Sequence, residues 1–599
     1  MSSIAARVTD TGDDRYGLGR GTGPARGSGP RSGDPRLGGN RPDDDRVQVF
    51  GQRQRSLALT HHRLMLVMLL FAGVTALIVL RLLWLAVFGD HAGRRVTITS
   101  FLPQRGDIVD RNGVALARTI DAWTVTVHPN KIIGDKLALA EQLEALMPER
   151  SAASYYKTLT SGSNFAYLKR RALPELVAKV NALGEPGLAF DREPERLYPQ
   201  TMLAGHVLGW TDVDGHGAAG MERVLDDKLS GKGTRGTPAA LSIDSRVQGA
   251  VESELLAAMK RFNAIGATGV VLDVHSGELI ALASLPSYNP NAAGRAPADW
   301  RFNRATLGVY ELGSTFKPLT IAAAMDAGVV KSPFQLWPAA SPVHVGRFTI
   351  NDDHPMGRPI NVAELLIHSS NIATARVADA MGEARMQKAF RSMGFADQAH
   401  VELPERGKPI WPAYWGRSTI MTAGFGHGIA VSPLHLASAY AAMVNGGIWR
   451  PSTLLKRTTA NAPAGRRIFT ERTSERMRQM LRLIVLEGTG RNADAPGYRV
   501  GGKTGTAEKP KNGGYAKKSL VSTFAAAFPM DAPRYVVIAM LDEPRGNAET
   551  FGFATAGWTA APVVKQLVTR IGPLLGVYPN ESREVDLQDL AVMRGGKPD

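Results

Sequence analysis

From Leu64 to Leu80 the chain carries no charged residue, and after Arg81 the apolar character resumes through Leu82-Leu83-Trp84-Leu85-Ala86-Val87-Phe88. About 20 apolar residues suffice for a helix to cross a bilayer, so this stretch is expected to be one transmembrane helix over 64–88. It is longer than the apolar core of a cleavable signal peptide and is therefore expected to stay as an anchor. Arg81 and Trp84 fit one membrane interface, the guanidinium snorkelling and the indole at headgroup depth. Arg46, Arg53, Arg55 and Arg63 precede the span and Arg94 and Arg95 follow it. That bias places the N-terminus in the cytoplasm, so everything after about Gly89 is expected to be exported, tethered by a single pass through the membrane.

With 599 residues, 44% hydrophobic and 21% charged, the chain has enough apolar material for two folded domains and appendages. It has no cysteine, which excludes disulfides, thiol nucleophiles and thiolate metal sites. The net charge of +16 comes from basic residues spread along the whole chain, with no zinc-finger, recognition-helix or RNA-binding-sheet signature, so nucleic acid is not the expected partner. The thirteen histidines show no His-x-x-x-His pairing, and neither a metal nor a cofactor is expected.

Residues 1–63 form a polar leader, rich in Gly, Arg, Asp and Pro between Gly17 and Arg46, that has too little to bury to offset its ordering entropy and reads as disordered. After the span, Arg105-Gly106-Asp107-Ile108-Val109-Asp110-Arg111-Asn112-Gly113 begins a strand pair around an Asn-Gly turn. Helical spacing follows at Leu137–Met147 and Leu173–Leu183, and Gly220-Met221-Glu222 punctuates a region without a catalytic grouping. Residues 89–265 thus read as a spacer or docking domain. A second domain is expected over 266–577, with a hairpin at Thr268–Val274 and Glu278–Ala283, late strands at Tyr498–Thr506, Val521–Phe528 and Tyr535–Leu541, and helices between and after them. The layout implies an α+β fold in which an antiparallel sheet built from both ends of the domain packs between helices, followed by a tail at 578–599.

Inside this domain, Glu311-Leu312-Gly313-Ser314-Thr315-Phe316-Lys317-Pro318 places a hydroxyl three residues before an amine. On a helix the two share a face, which brings Lys317 within hydrogen-bond reach of a Ser314 nucleophile. Ser154 and Lys157 have the same spacing but read as a surface helix. Ser369-Ser370-Asn371 and Lys503-Thr504-Gly505-Thr506 follow Ser314 in order. Ser-x-x-Lys, Ser-x-Asn and Lys-Thr-Gly together are the elements that penicillin-binding proteins and serine β-lactamases arrange around one acylated serine.

The chemistry of each group suits that arrangement. Lys317, desolvated and facing Lys503, would have a lowered pKa and take the Ser314 proton. Ser369 would relay it to a leaving amine, and Asn371 would bind a substrate amide. Lys503, Thr504 and Thr506 would bind a terminal carboxylate, while Gly505 lets an extended peptide pair with the strand edge. The backbone N–H groups of Ser314 and Thr506 would form the oxyanion hole.

From about Arg81 to about Leu575 the chain resembles a class B penicillin-binding protein. The resemblance includes Arg105–Arg111, Gly220-Met221-Glu222 and Phe425-Gly426-His427-Gly428-Ile429-Ala430-Val431-Ser432-Pro433-Leu434, the last closer to the cell-division branch than to the elongation branch. It implies crosslinking of peptidoglycan stem peptides through Ser314 with release of D-Ala, inhibition by β-lactams, and partnership with a membrane glycan polymerase of the SEDS family and other division proteins. An elongation-type transpeptidase, a penicillin-sensing receptor and a division scaffold with a dead site are the rival readings. Ser370 stands where β-lactamases often carry Asp, which counts against a lactamase.

Overall fold

The computed structural model describes residues 48–87, 105–231, 236–346, 348–457, 462–511 and 514–590. Most of the leader and the last nine residues of the tail lie outside the described residues. The N-terminal helix spans Gln48–Val87, and its Leu64–Leu83 segment has a mean hydropathy of 2.6 with every side chain exposed. It is a candidate membrane anchor. The helix starts at Gln48 rather than Leu64, which corrects the expectation of a disordered stretch up to residue 63. Between Gln48 and Arg63 stand Gln, Arg, Leu and Ala and no proline, and extending an existing helix adds a hydrogen bond for each residue fixed.

The second unit begins with an antiparallel sheet of Ile108–Val109, Ala115–Val127, Ala166–Ala172 and Leu188–Leu197, to which Ala239–Ala240 adds in parallel. The Asn112-Gly113 turn forms as expected, with the Asp110 carboxylate accepting from the Asn112 and Val114 N–H groups at 2.8 and 2.9 Å. Val125, Val127, Leu139, Leu143, Tyr155, Leu159 and Leu168 close a small core between this sheet and the helices Lys136–Leu146 and Ala152–Leu159. Ser154 is on the second of these helices, its hydroxyl accepting from Arg150. Motifs that looked scattered in sequence meet here. Glu222, fully buried, accepts from Arg105 Nε and Arg196 Nε, each at 2.7 Å, and Arg196 also donates to the Gly106 carbonyl at 2.8 Å.

Five antiparallel strands form the larger sheet in the spatial order Gly501–Lys511, Gly514–Phe528, Tyr535–Asp542, Gly266–Asp273, Leu279–Leu285, so both ends of the domain contribute. The strand Tyr535–Asp542 shows why its sequence is apolar throughout. Val536, Ile538 and Met540 enter one core, with Phe316, Leu319 and Tyr440, while Val537, Ala539 and Leu541 enter the other, with Val251, Leu255, Val564 and Leu567. A sheet covered on both faces leaves no polar position along its middle strands. The helix Ser245–Arg261 belongs to the second core, so the domain's packing starts ahead of the expected Gly266. Gly501–Lys511 lies at the sheet's edge and presents the Lys503–Thr506 motif, Lys503 opposite Ala525 and Thr506 opposite Ser522.

Candidate active site

Gly313–Phe316 form one turn of 3-10 helix, and the α-helix Lys317–Asp326 continues from it with Pro318 in its first turn. Residues three apart eclipse in a 3-10 turn, so Ser314 stands over Lys317. Phe316 pins the turn from beneath, packing against the rings of Phe390 and Phe395 at 5.7 and 5.2 Å. Ser314 keeps partial access to solvent, whereas Lys317 is 0% exposed.

The Lys317 Nζ donates to Asn371 Oδ1 at 2.7 Å, to Ser369 Oγ at 3.1 Å and to the Ser369 carbonyl. Those acceptors engage all three donors of an ammonium. Among the described residues no hydrogen bond joins Lys317 to Ser314, which corrects that expectation for this state; bonds of this kind tighten when substrate is bound. Burial lowers the Lys317 amine to about 7, partly opposed by the charges of Asp352 and Asp353. Of the two expected causes, desolvation acts on Lys317 and repulsion from Lys503 does not. The influence runs the other way, since Lys503 is held well below an ordinary lysine by its burial and by the charge of Lys317.

Ser369 adopts the left-handed conformation with φ of 60°, which is uncommon for a residue with a Cβ and turns its hydroxyl and carbonyl together toward Lys317. Next to it, Ser370 caps the helix Asn371–Ser392. A residue that the sequence did not single out secures this corner. The Asp352 carboxylate accepts from Ser370 Oγ at 2.6 Å, from Asn371 N–H at 2.5 Å and from Ile372 N–H at 2.9 Å, and Asn371 Nδ2 donates to the Asn351 carbonyl at 3.0 Å. A carboxylate at a helix N-terminus satisfies open N–H groups and is favoured by the helix dipole.

Lys503 is fully buried and donates to the Thr504 hydroxyl and carbonyl, both at 3.1 Å, and to Thr489 Oγ1 at 3.5 Å. Thr489, also not foreseen, shares a 2.8 Å hydrogen bond with Thr504. Thr506 Oγ1 accepts from Ala556 N–H at 3.0 Å, so this hydroxyl ties down a neighbouring loop.

Gly505 also serves the nucleophile turn. A Cβ there would lie 2.4 Å from the Leu312 carbonyl oxygen and 2.7 Å from Thr315 Cγ2, so its bare backbone makes room for that turn. Gly426 does the same from the opposite segment, where a Cβ would lie 2.3 Å from the Gly313 carbonyl oxygen. The turn bearing Ser314 is seated between two glycines, Gly505 and Gly426.

The family described as penicillin binding protein transpeptidase domain matches residues 267–568, and that described as penicillin-binding protein dimerisation domain matches residues 100–237. The chain is 42% identical over 483 residues to the "Probable peptidoglycan D,D-transpeptidase FtsI" of Caulobacter vibrioides, covering 79% of this chain and 82% of that protein. It is 28% identical to the "Peptidoglycan D,D-transpeptidase FtsI" of Escherichia coli K12, over 86% and 92% of the two chains. The crystal structure of penicillin-binding protein 3 from Mycobacterium tuberculosis complexed with aztreonam superposes with a TM-score of 0.63 at 26% identity, covering 80% of this chain and 98% of that one. With an apolar N-terminal helix, a dimerisation domain and a transpeptidase domain carried in that order, the chain belongs to the class B penicillin-binding proteins.

Proposed function

We propose that this protein is a septal peptidoglycan D,D-transpeptidase that works through a Ser314 acyl-enzyme. The observation that carries this reading is the buried Lys317 amine, lowered to about 7 and bonded to Ser369 and Asn371 one turn from an accessible serine. An amine that sheds its proton near neutrality can take the Ser314 hydroxyl proton as Oγ bonds to the carbonyl carbon of the penultimate D-Ala. Lys317 then passes that proton through Ser369 to the nitrogen of the terminal D-Ala as the C–N bond breaks. Asn371 holds the donor's amide, and Lys503 with Thr504 and Thr506 holds its carboxylate. The N–H groups of Ser314 and Thr506 receive the oxyanion. Gly505 keeps the strand close enough to the serine for both to act on one carbonyl.

The division into a leader, an anchor at 64–88, a pedestal at 89–265 whose last helix Ser245–Arg261 packs on the larger sheet, a catalytic domain at 266–577 and a tail at 578–599 completes the proposal. In it the N-terminus is cytoplasmic, the catalytic domain periplasmic, and the anchor and pedestal meet a SEDS-family glycan polymerase and other division proteins. The relatives named FtsI support the septal assignment. β-Lactams act as inhibitors by acylating the same serine.

Labelling with a fluorescent penicillin tests the reading. Ser314→Ala abolishes the label and Ser154→Ala leaves it; survival of the label in the first variant, or its loss in the second, overturns the assignment. The adduct on the native protein persists for many acylation half-times when followed by intact-protein mass spectrometry, and its rapid loss as hydrolysed penicillin would identify a lactamase instead.

A further inference from the structure

Transfer to an amine has a requirement that acylation lacks. A primary amine on an aliphatic side chain reaches the enzyme mostly as an ammonium ion, which has no lone pair with which to attack an acyl carbon. One proton must leave before the bond forms, and Lys317 and Ser369 are already committed to the proton that Ser314 needs back.

A groove of about 610 Å³ opens beside Asn371, lined by Phe348, Ile350, Asn351, Thr419, Phe425 and His427. Asn371 is common to this groove and to the Lys317 cluster, so the groove adjoins the catalytic corner at Asn371. His427 follows Gly426, whose backbone rests against Gly313, and so stands immediately beside the turn that carries Ser314. The His427 Nδ1 lies 3.2 Å from Glu311 Oε2, and Glu311 Oε1 accepts from Gly428 N–H at 3.1 Å. Glu311 is nearly buried, with its side chain 11% exposed, whereas the His427 side chain is 31% exposed and lines the groove. A carboxylate at Nδ1 orients the ring, with Nε2 as its second proton-carrying position.

We infer that this groove receives the acceptor, a primary amine on an aliphatic peptide side chain, and that His427, oriented by Glu311, removes the surplus proton of the incoming ammonium. The inference rests on the transpeptidase reading above. The apolar walls of Phe348, Ile350 and Phe425 take the methylene stem and favour the neutral amine over the ion. His427 accepts one proton from R–NH3+ and later releases it to solvent. The R–NH2 nitrogen attacks the acyl carbon, the C–N bond forms and the C–Oγ bond breaks. The second proton leaves the nitrogen and reaches Ser314 Oγ through Ser369 and Lys317, which restores the free enzyme.

The test uses the full-length protein in detergent with a thioester acyl donor, whose thiol release reports acylation, and two acceptors. Glycine carries a protonated amine at neutral pH, whereas hydroxylamine is neutral there. In His427→Gln the ratio of transfer to acylation falls at least tenfold with glycine and less than threefold with hydroxylamine, because the second acceptor brings no surplus proton. Glu311→Gln moves the ratios in the same direction. Equal ratios for the two acceptors in both variants, or loss of acylation itself in both, overturns the inference, since either result makes the pair a support for the nucleophile turn. A wild-type enzyme that acylates but transfers to neither amine contradicts the transpeptidase reading itself.

Discussion

Replacing Asp352 by Asn changes the charge beside the catalytic lysine while preserving the shape of the side chain. In the native protein one oxygen of Asp352 accepts from the Asn371 and Ile372 N–H groups and the other accepts from Ser370 Oγ. Asparagine keeps an acceptor for the two N–H groups and gives Ser370 a donor instead, so the helix Asn371–Ser392 keeps its start. A charge-assisted hydrogen bond is roughly twice as strong as a neutral one, which sets the loss at about 1 kcal/mol. The second effect is electrostatic. Asp352 favours the charged form of Lys317, whose amine sits near 7. At an effective dielectric of about 20, unit charges about 7 Å apart interact by roughly 2 kcal/mol, and a loss of about half that much moves a midpoint by a little under one pH unit. Removing a negative charge disfavours the ammonium, so the amine becomes neutral at lower pH. Acylation by a fluorescent penicillin, measured by stopped flow between pH 5 and 9, therefore rises on an acid-shifted limb in Asp352→Asn, by about one pH unit, with a plateau about fivefold lower. A limb that stays in place or moves to higher pH refutes the electrostatic account of Lys317.

Gly505→Ala puts a methyl group where the Leu312 carbonyl already lies, so the nucleophile turn lifts from the strand; acylation falls by about a hundredfold while the melting temperature, read by calorimetry, falls by only a few degrees. Glu252 has a partly open stem, but its carboxyl is buried, raised to about 7, and accepts from Ala204 N–H and Gln248 Nε2, both at 2.8 Å. A carboxyl raised in the folded state costs stability as pH climbs from its unfolded value through 7, so Glu252→Gln, which retains both accepted bonds, stabilises the protein by about 1–2 kcal/mol at pH 8 and by nothing measurable at pH 4; denaturant unfolding at the two pH values checks this.

The larger sheet was legible in the sequence because its middle strands are buried on both faces and so appear as uninterrupted apolar runs bounded by turns. The helix Ser245–Arg261 was not placed with them, since its apolar residues are spaced among charged ones and no break in composition separates it from the pedestal. The catalytic candidates were readable because each motif pairs chemically distinct residues at short range. What escaped was long-range. Asp352 meets Ser370 and Asn371 only through the tertiary fold, Thr489 meets Thr504 in the same way, and the ring of Arg105, Arg196 and Glu222 closes across three distant segments. A single Asp or Thr has no spacing that advertises such a contact. The lowered Lys317 amine and its desolvation were expected, but that Lys503 adds nothing to it was a matter of depth, which no motif encodes.

The seat of Ser314 between Gly426 and Gly505 has a consequence for how such an enzyme can change under attack. A drug that imitates the acyl donor exerts selection on every residue it meets, but the two surfaces that hold the serine are main chain, common to all amino acids. Any replacement at either glycine adds atoms where there is no room and disables the natural reaction along with the drug's. Escape is therefore confined to the groove walls and the caps that surround the serine, where side chains can be exchanged one at a time. Variants that arise under exposure to such compounds should cluster around this turn while leaving the turn itself untouched.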